Sequence, residues 1–175
     1  MPSRSRMPVV LALIALAFVG TQLVLEHLGG GVRSHHLLNR PDLPAISNWL
    51  GLLTLPALGF ALGMRIRRAG GFTAAVWTGL VASLLYGTSL ATGFEFGAGH
   101  LTQGLFLGLF VVAILAPVYR AECMVGFVAG MTFTFGAVLP FLVALVFAAI
   151  SAAVRVGSRA LLRRVRPGRA ATGAR

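Results

Sequence analysis

The sequence contains no lysine, one cysteine and four acidic residues, and charged residues make up 11% of its 175 positions. Soluble domains carry about a quarter charged residues, so the composition excludes an ordinary soluble domain. A single cysteine also excludes an intrachain disulfide framework and a cysteine-based zinc or iron–sulfur site within one chain. Cys123 is therefore interpreted as a small, buried hydrophobic residue.

What the sequence does contain is apolar: 57% of its residues are hydrophobic, and the mean hydropathy is +0.87. Its net charge of +11 comes from arginines at the chain ends and in the connections between apolar runs. That placement matches the cost of a charge at the bilayer centre, about 3 kcal/mol on insertion scales. We expect the arginines to contact anionic lipid head groups. Nucleic acid is not an expected partner, because no basic stripe is interleaved with aromatic residues.

The apolar runs predict an all-α, polytopic transmembrane bundle formed by one domain over residues 1–154. A membrane-spanning helix needs about 20 apolar residues, which leaves space for about five segments. The predicted helices cover residues 7–28, 46–64, 72–92, 100–118 and 123–154. The last run exceeds one crossing and falls short of two, and Gly136 and Pro140 lie in its middle. It is either one long kinked helix or a pair of short helices in a re-entrant hairpin.

Residues 155–175 form a basic tail, which we predict to begin as an amphipathic surface helix and to end in disorder. Arg155, Arg159 and Arg163 recur at a four-residue spacing within it. The arginines near the N-terminus and after the second apolar run favour a cytoplasmic N-terminus, with a bacterial cytoplasmic membrane as the expected location. Five crossings would place the basic tail outside, and the hairpin alternative for 123–154 removes that conflict.

Histidines and acids gather in two of the connections. Alternate connections of a helical bundle lie on the same side of the membrane, so the first and third connections should share a face. That face collects all four histidines and three of the four acids, and only Glu122 lies opposite. The residues are Glu26, His27, His35, His36, Asp42, Glu95 and His100.

The helix halves next to this face carry further polar side chains, which are expensive against lipid tails and should point inward. We predict that they line a water-accessible ligand pocket, covered by the loop of residues 30–45. The predicted lining residues are Gln22, Asn48, Thr88, Thr92 and Gln103.

Imidazoles and carboxylates are the usual ligands of zinc, iron, copper and manganese, so the same face is a candidate site for one of these metals. The candidate ligands are His27, His35, His36, His100, Glu26 and Glu95. The spacing matches no recognised metal motif, neither HExxH nor repeated histidine boxes. A pocket without metal and a merely interfacial polar loop therefore stay open as alternatives.

Glu95 and Glu26 are the candidate catalytic groups. Glu95 lies between Phe94 and Phe96, and a carboxyl shielded by these rings would exchange protons near neutral pH. The alternative is that Glu95 is a solvated turn residue.

The sequence favours a membrane protein that binds or transports a metal ion or a small polar ligand in this pocket. Three alternatives remain. The first is a metal-dependent membrane enzyme acting on a lipid or other amphiphile, with Glu95 or Glu26 as base. The second is a haem protein with His27 and His100 as axial ligands. The third is an accessory subunit of a membrane complex.

Glycine pairs at four-residue spacing allow helices to approach closely, within one chain or in a homo-oligomer. The pairs are Gly59/Gly63, Gly104/Gly108 and Gly126/Gly130.

Overall fold

A computed structural model describes residues 5–36, 42 and 44–165. In this part of the chain six α-helices and one short two-stranded antiparallel sheet are present. The all-α bundle predicted from the sequence is confirmed. The helices are α1 (Met7–Leu28), α2 (Gly51–Arg68), α3 (Ala74–Glu95), α4 (Gly99–Leu115), α5 (Ala121–Phe135) and α6 (Val138–Val165), and the strands are β1 (Ser34–His36) and β2 (Ala45–Ser47).

The apolar run of residues 123–154 is divided between two helices, α5 and α6, and α6 is longer than the short helix that the hairpin alternative assumed. Gly136 ends α5 with a backbone φ of 69°, a left-handed conformation that glycine adopts at little cost. Pro140 lies in the first turn of α6, where its missing N–H group is not needed. The predicted basic helix is present as the last part of α6, which continues through Arg155 to Val165 without a break. Residues 166–175, where the disordered end was predicted, lie outside the described residues.

The other helix boundaries follow local signals. Three glycines follow α1, and two of them, Gly30 and Gly31, have positive φ. Ser47 caps a short 3-10 turn that leads into α2, with the Trp49 backbone N–H donating to its hydroxyl at 3.4 Å. Thr73 caps α3 in the same way. α4 ends at Leu115, two residues before Pro117.

Four segments are long and apolar enough to cross a membrane: Met7–Leu28, Asn48–Arg68, Ala74–Glu95 and Val138–Arg163. α4 and α5 are apolar but shorter, with 17 and 15 residues. At 1.5 Å per residue, α5 rises only about 22 Å, less than the bilayer core of about 30 Å.

Glycines set the main helix contacts. Gly59 packs on the backbone of α1, where a Cβ would lie 2.6 Å from the Leu11 carbonyl oxygen. Gly126 and Gly130 bring α5 against the backbone of α3. Gly87 of α3 packs in turn against the backbone of α5. Two of the three glycine pairs that suggested an oligomer therefore pack against other helices of the same chain. In the third pair, Gly104 has open space beside it, while Gly108 faces the Tyr86 hydroxyl.

Consecutive helices run in opposite directions, which divides the bundle into two ends. At one end, Gly63 meets Pro8, and Arg65 meets Glu122. We call this the arginine-rich end; it holds Arg6, Arg65, Arg67, Arg68, Arg120, Arg155, Arg159 and Arg163. The opposite, histidine-bearing end holds the β-hairpin, the α3–α4 connection and the α5–α6 turn. With six helices, the beginning of α1 and the end of α6 lie at the same end.

Replacing Gly126 by alanine should destabilise the bundle by roughly 1–3 kcal/mol, because its Cβ would overlap Leu80 and Ser83 of α3. Gly104→Ala is the matched control, since no atom lies within 4 Å of a Cβ there. Thermal unfolding in one detergent, followed by size-exclusion chromatography of heated samples, measures both. Equal midpoints for the two variants would contradict the packing described here.

Candidate functional sites

At the histidine-bearing end, Glu26 binds three hydrogen-bond donors. Its Oε1 accepts from Gln22 Nε2 at 2.8 Å and from Asn48 Nδ2 at 2.7 Å, and its Oε2 accepts from the Arg33 backbone N–H at 3.1 Å. Gln22 Nε2 also donates to the Thr132 carbonyl oxygen of α5, at 3.1 Å. These groups form what we call the Glu26 hub, which joins α1, α5 and the turn before α2.

The hub is shaped by local sequence. Gln22 and Glu26 are four residues apart on α1 and therefore lie on one helical face. A Cβ at Gly136 would overlap the Asn48 carboxamide, so glycine is required there by both its φ and its neighbour. Gln22 and Asn48 are buried, and in the part of the chain that the structure describes no group donates to Gln22 Oε1. The hub thus fixes the α5–α6 turn but leaves one buried acceptor unsatisfied.

His35 lies beside the hub, in β1 and opposite Ile46 of β2. It is partly buried, and burial lowers its pKa below the usual 6.5. The negative charge of Glu26 raises this pKa and the positive charge of Arg33 lowers it, but burial has the largest effect. The neutral imidazole is therefore favoured in the folded protein.

The remaining predicted site residues do not join the hub. His27, His36, His100 and Glu95 are exposed, as are Thr88, Thr92 and Gln103. The Thr92 hydroxyl donates to the Thr88 carbonyl oxygen of its own helix at 2.9 Å. α1 packs mainly on α2, whereas α4 packs on α3 and α6.

Within residues 5–36, 42 and 44–165, no three His, Cys, Asp or Glu side chains come together as a metal site would require. The predicted six-ligand metal set is not assembled there. Gln22, Glu26 and Asn48 are brought together, with His35 adjacent. The haem alternative stays a prediction, with both proposed axial histidines exposed at the same end.

Sequence reasoning set aside Glu122, which the structure places at a second site. Glu122 lies in the first turn of α5 and is 0% exposed. Arg65 Nε lies 3.6 Å from its Oε2, which is an ion pair beyond hydrogen-bond distance. Among the described residues, none donates a hydrogen bond to either carboxylate oxygen. The signal in the sequence was an acid beginning a long apolar run, on the same side as the arginines that end α2.

Glu122 lines a crevice of about 580 Å³ between α3, α4, α5 and α6, which we call the α3–α4 crevice. Gly79 makes room for the acid, since a Cβ there would lie 2.9 Å from Glu122 Cγ. Arg120 and Cys123 share the Glu122 end of the crevice. At the other end, the Tyr86 hydroxyl donates to the Leu105 carbonyl oxygen at 2.5 Å. Most other lining residues are apolar, among them Ala82, Leu109, Val112, Phe127, Ala144 and Phe147.

No protein-family model matches the chain, and neither a curated protein nor a solved structure matches it significantly.

The lowered pKa of His35 predicts a pH-dependent stability. The unfolded chain binds the His35 proton more readily than the folded one, so stability should fall as the pH drops below about 6.5. Thermal unfolding midpoints between about pH 7.5 and 5.5 measure this. His35→Gln should make the decline shallower. An unchanged decline in His35→Gln would refute the assignment.

Proposed function

We propose that this membrane protein binds a lipid-like amphiphile in the α3–α4 crevice. The supporting observation is the crevice itself, a largely apolar cavity of about 580 Å³ that has Arg120 and Glu122 among the lining residues at one end. Ionisable residues within membrane segments are expensive and mark functional sites by default. The crevice volume falls within the range of about 300–1,000 Å³ typical of small-molecule sites.

Glu122 forms an ion pair with Arg65 whose geometry is poor. Burial of a carboxylate is offset only by close, well-oriented donors. Arg65, at 3.6 Å and one-third exposed, compensates the charge without a hydrogen bond. The protein itself therefore offsets the cost of burying Glu122 only in part.

The crevice is charged at one end and apolar at the other, as one leaflet of a bilayer is from its head groups to its tails. Its charged end lies at the arginine-rich end of the bundle, and its apolar part extends toward the Tyr86–Leu105 contact. From Gly79 to Tyr86 is seven residues of α3, about 10 Å along the helix. That length fits within one half of a hydrocarbon core of about 30 Å. An amphiphile would therefore lie with its head near the arginines and its tail toward the bilayer centre.

The positive-inside rule places the arginine-rich end in the cytoplasm. Because both the beginning of α1 and the end of α6 lie there, the orientation conflict raised by five crossings disappears. The ligand would then enter from the cytoplasmic leaflet. The arginines around the entrance would contact anionic lipid head groups.

A test uses Cys123, the one cysteine of the chain, which lines the crevice. In protein reconstituted in nanodiscs, 1-decanol should slow alkylation of Cys123 by N-ethylmaleimide, because an occupied crevice blocks the reagent. Ala82→Trp, which fills the crevice, should slow the reaction without ligand and abolish the effect of decanol. Leu85→Trp, on the lipid-facing side of α3, is the matched control and should behave as wild type. Alkylation unaffected by decanol in the wild type would sink the proposal.

The Glu26 hub supports a second candidate function, the binding of a small cation or polar molecule at the histidine-bearing end. The favouring observation is the buried Gln22 Oε1, which has no donor, close to the Glu26 carboxylate. Carboxylate and amide oxygens suit hard ions such as Mn²⁺. His35 is the one imidazole placed to assist. This candidate site keeps two of the metal ligands predicted from the sequence, Glu26 and His35.

Titration of the purified protein with Mn²⁺, followed by electron paramagnetic resonance, tests this candidate. Glu26→Gln should weaken binding by about tenfold or more, since it removes the charged ligand. Glu95→Gln serves as control, because Glu95 is exposed and lies at the α3–α4 connection. Equal affinities in wild type and Glu26→Gln would rule the hub out as an ion site.

A further inference from the structure

We infer that the α3–α4 crevice takes an amphiphile with an anionic head group, a sulfate, phosphate or carboxylate, and that Arg120 binds this head group. This inference rests on the proposed function, and it adds the chemistry of the ligand. Arg120 lines the crevice and directly precedes the first turn of α5. The residue is partly exposed, so it is accessible to a molecule that enters from the arginine-rich end.

The guanidinium of Arg120 has no anionic partner among the described residues. Three of the four acids of the chain belong to the histidine-bearing end, and the fourth, Glu122, pairs with Arg65. A guanidinium presents five N–H donors in a planar fork that matches the oxygens of a carboxylate or a phosphate. An anionic head group in the crevice would therefore use donors that no acid in the described part of the chain occupies.

The charge at this end of the crevice is positive whether Glu122 is ionised or protonated. An ionised Glu122 is neutralised by Arg65, and a protonated one carries no charge. Arg155 adds a further positive charge at the end of α4, where its Nη2 donates to the Leu115 carbonyl oxygen at 2.8 Å. A cleft with low-dielectric walls and one sign of charge concentrates ions of the opposite sign. The crevice therefore attracts an anionic head group and repels a cationic one.

The apolar part of the crevice fits a hydrocarbon tail but does not select among amphiphiles. Lipid tails are as apolar as the side chains that line this part, so a tail gains little by moving from the bilayer into the crevice. The head group then decides which amphiphile is bound. A hydrogen bond between two charged groups is roughly twice as strong as one between neutral groups. An anionic head group at Arg120 is therefore favoured over a neutral one.

The experiment compares three probes with the same tail: decyl sulfate, 1-decanol and decyltrimethylammonium. Each is titrated against the rate of Cys123 alkylation by N-ethylmaleimide in nanodisc-embedded protein, below the concentration that disrupts the nanodisc. We expect half-maximal protection by decyl sulfate at a concentration about tenfold lower, or more, than by decanol. Decyltrimethylammonium should protect least. Sodium sulfate, which carries an anion without a tail, should not protect.

Arg120→Gln is the test variant, and Arg159→Gln is its matched control. Both remove one positive charge from the arginine-rich end, but Arg159 is an exposed residue of α6 that does not line the crevice. Arg120→Gln should reduce the preference for decyl sulfate to about twofold or less, and Arg159→Gln should keep it. Decyl sulfate enters the same bilayer in both samples, so the difference between the variants reports binding in the crevice. If Arg120→Gln does not fold, Arg120→Met takes its place, because it keeps an unbranched side chain without the charge.

The outcomes separate the two proposals. If no amphiphile protects Cys123 in the wild type, the crevice is not a ligand site and the proposed function fails. If decanol or decyltrimethylammonium protects as well as decyl sulfate, the proposed function stands and the head-group inference is overturned. Protection by sodium sulfate would also overturn the inference, since the site would then take a free anion. A preference for decyl sulfate that Arg120→Gln keeps would overturn it too, whereas loss of the preference in Arg120→Gln alone supports it.

Discussion

Backbone contact through glycine is the constraint on which the rest of this bundle depends. In lipid, helices gain little from hydrophobic association, so close packing has to hold them together. Gly126 and Gly130 set α5 directly on α3, and Gly59 sets α2 on α1. With α5 fixed this way, its first turn lies between α2 and α3. The burial of Glu122 is a consequence of that placement.

The two carboxylates at opposite ends of the bundle differ in the hydrogen bonds that they accept. Glu26 accepts three hydrogen bonds, from two side-chain amides and one backbone N–H group. Glu122 accepts none, although it is the more deeply buried of the two. In a low-dielectric interior a satisfied polar group stabilises its surroundings, and an unsatisfied one is costly. We therefore interpret Glu26 chiefly as a connection between segments, and Glu122 as a buried acid whose charge is balanced only by the ion pair with Arg65.

The sequence was sufficient for the fold class, because arginine placement and the length of apolar runs follow directly from the cost of charge in lipid. The break inside residues 123–154 was harder, since a kinked helix and a hairpin contain the same residues. The positive φ of Gly136 decides between them, and φ is not visible in a sequence. Alternation of helix direction correctly grouped the polar connections at one end. It carried no information about which of them are neighbours.

That missing information explains the uneven outcome at the site. Gln22 and Glu26 share a helical face, and Asn48 begins the partner helix, so their meeting depends on one helix pair. Glu95 and His100 belong to a different helix pair, α3 and α4. The alternation of helix direction places both pairs at the same end of the bundle, but it does not show which side chains meet. Glu122 was passed over because it stood apart from the other acids. A single acidic residue beside a long apolar run is nonetheless the sequence pattern expected of a buried carboxylate in a membrane segment.

α5 connects the two sites. Its last turn accepts a hydrogen bond from Gln22 of the Glu26 hub, and its first turn carries Glu122 in the α3–α4 crevice. The helix has only 15 residues and is held along its length by backbone contacts with α3, so it moves as a rigid body if it moves at all. Packed interfaces of this kind shift between discrete arrangements and do not deform continuously. The Glu26 hub and the α3–α4 crevice are therefore joined through this one short helix.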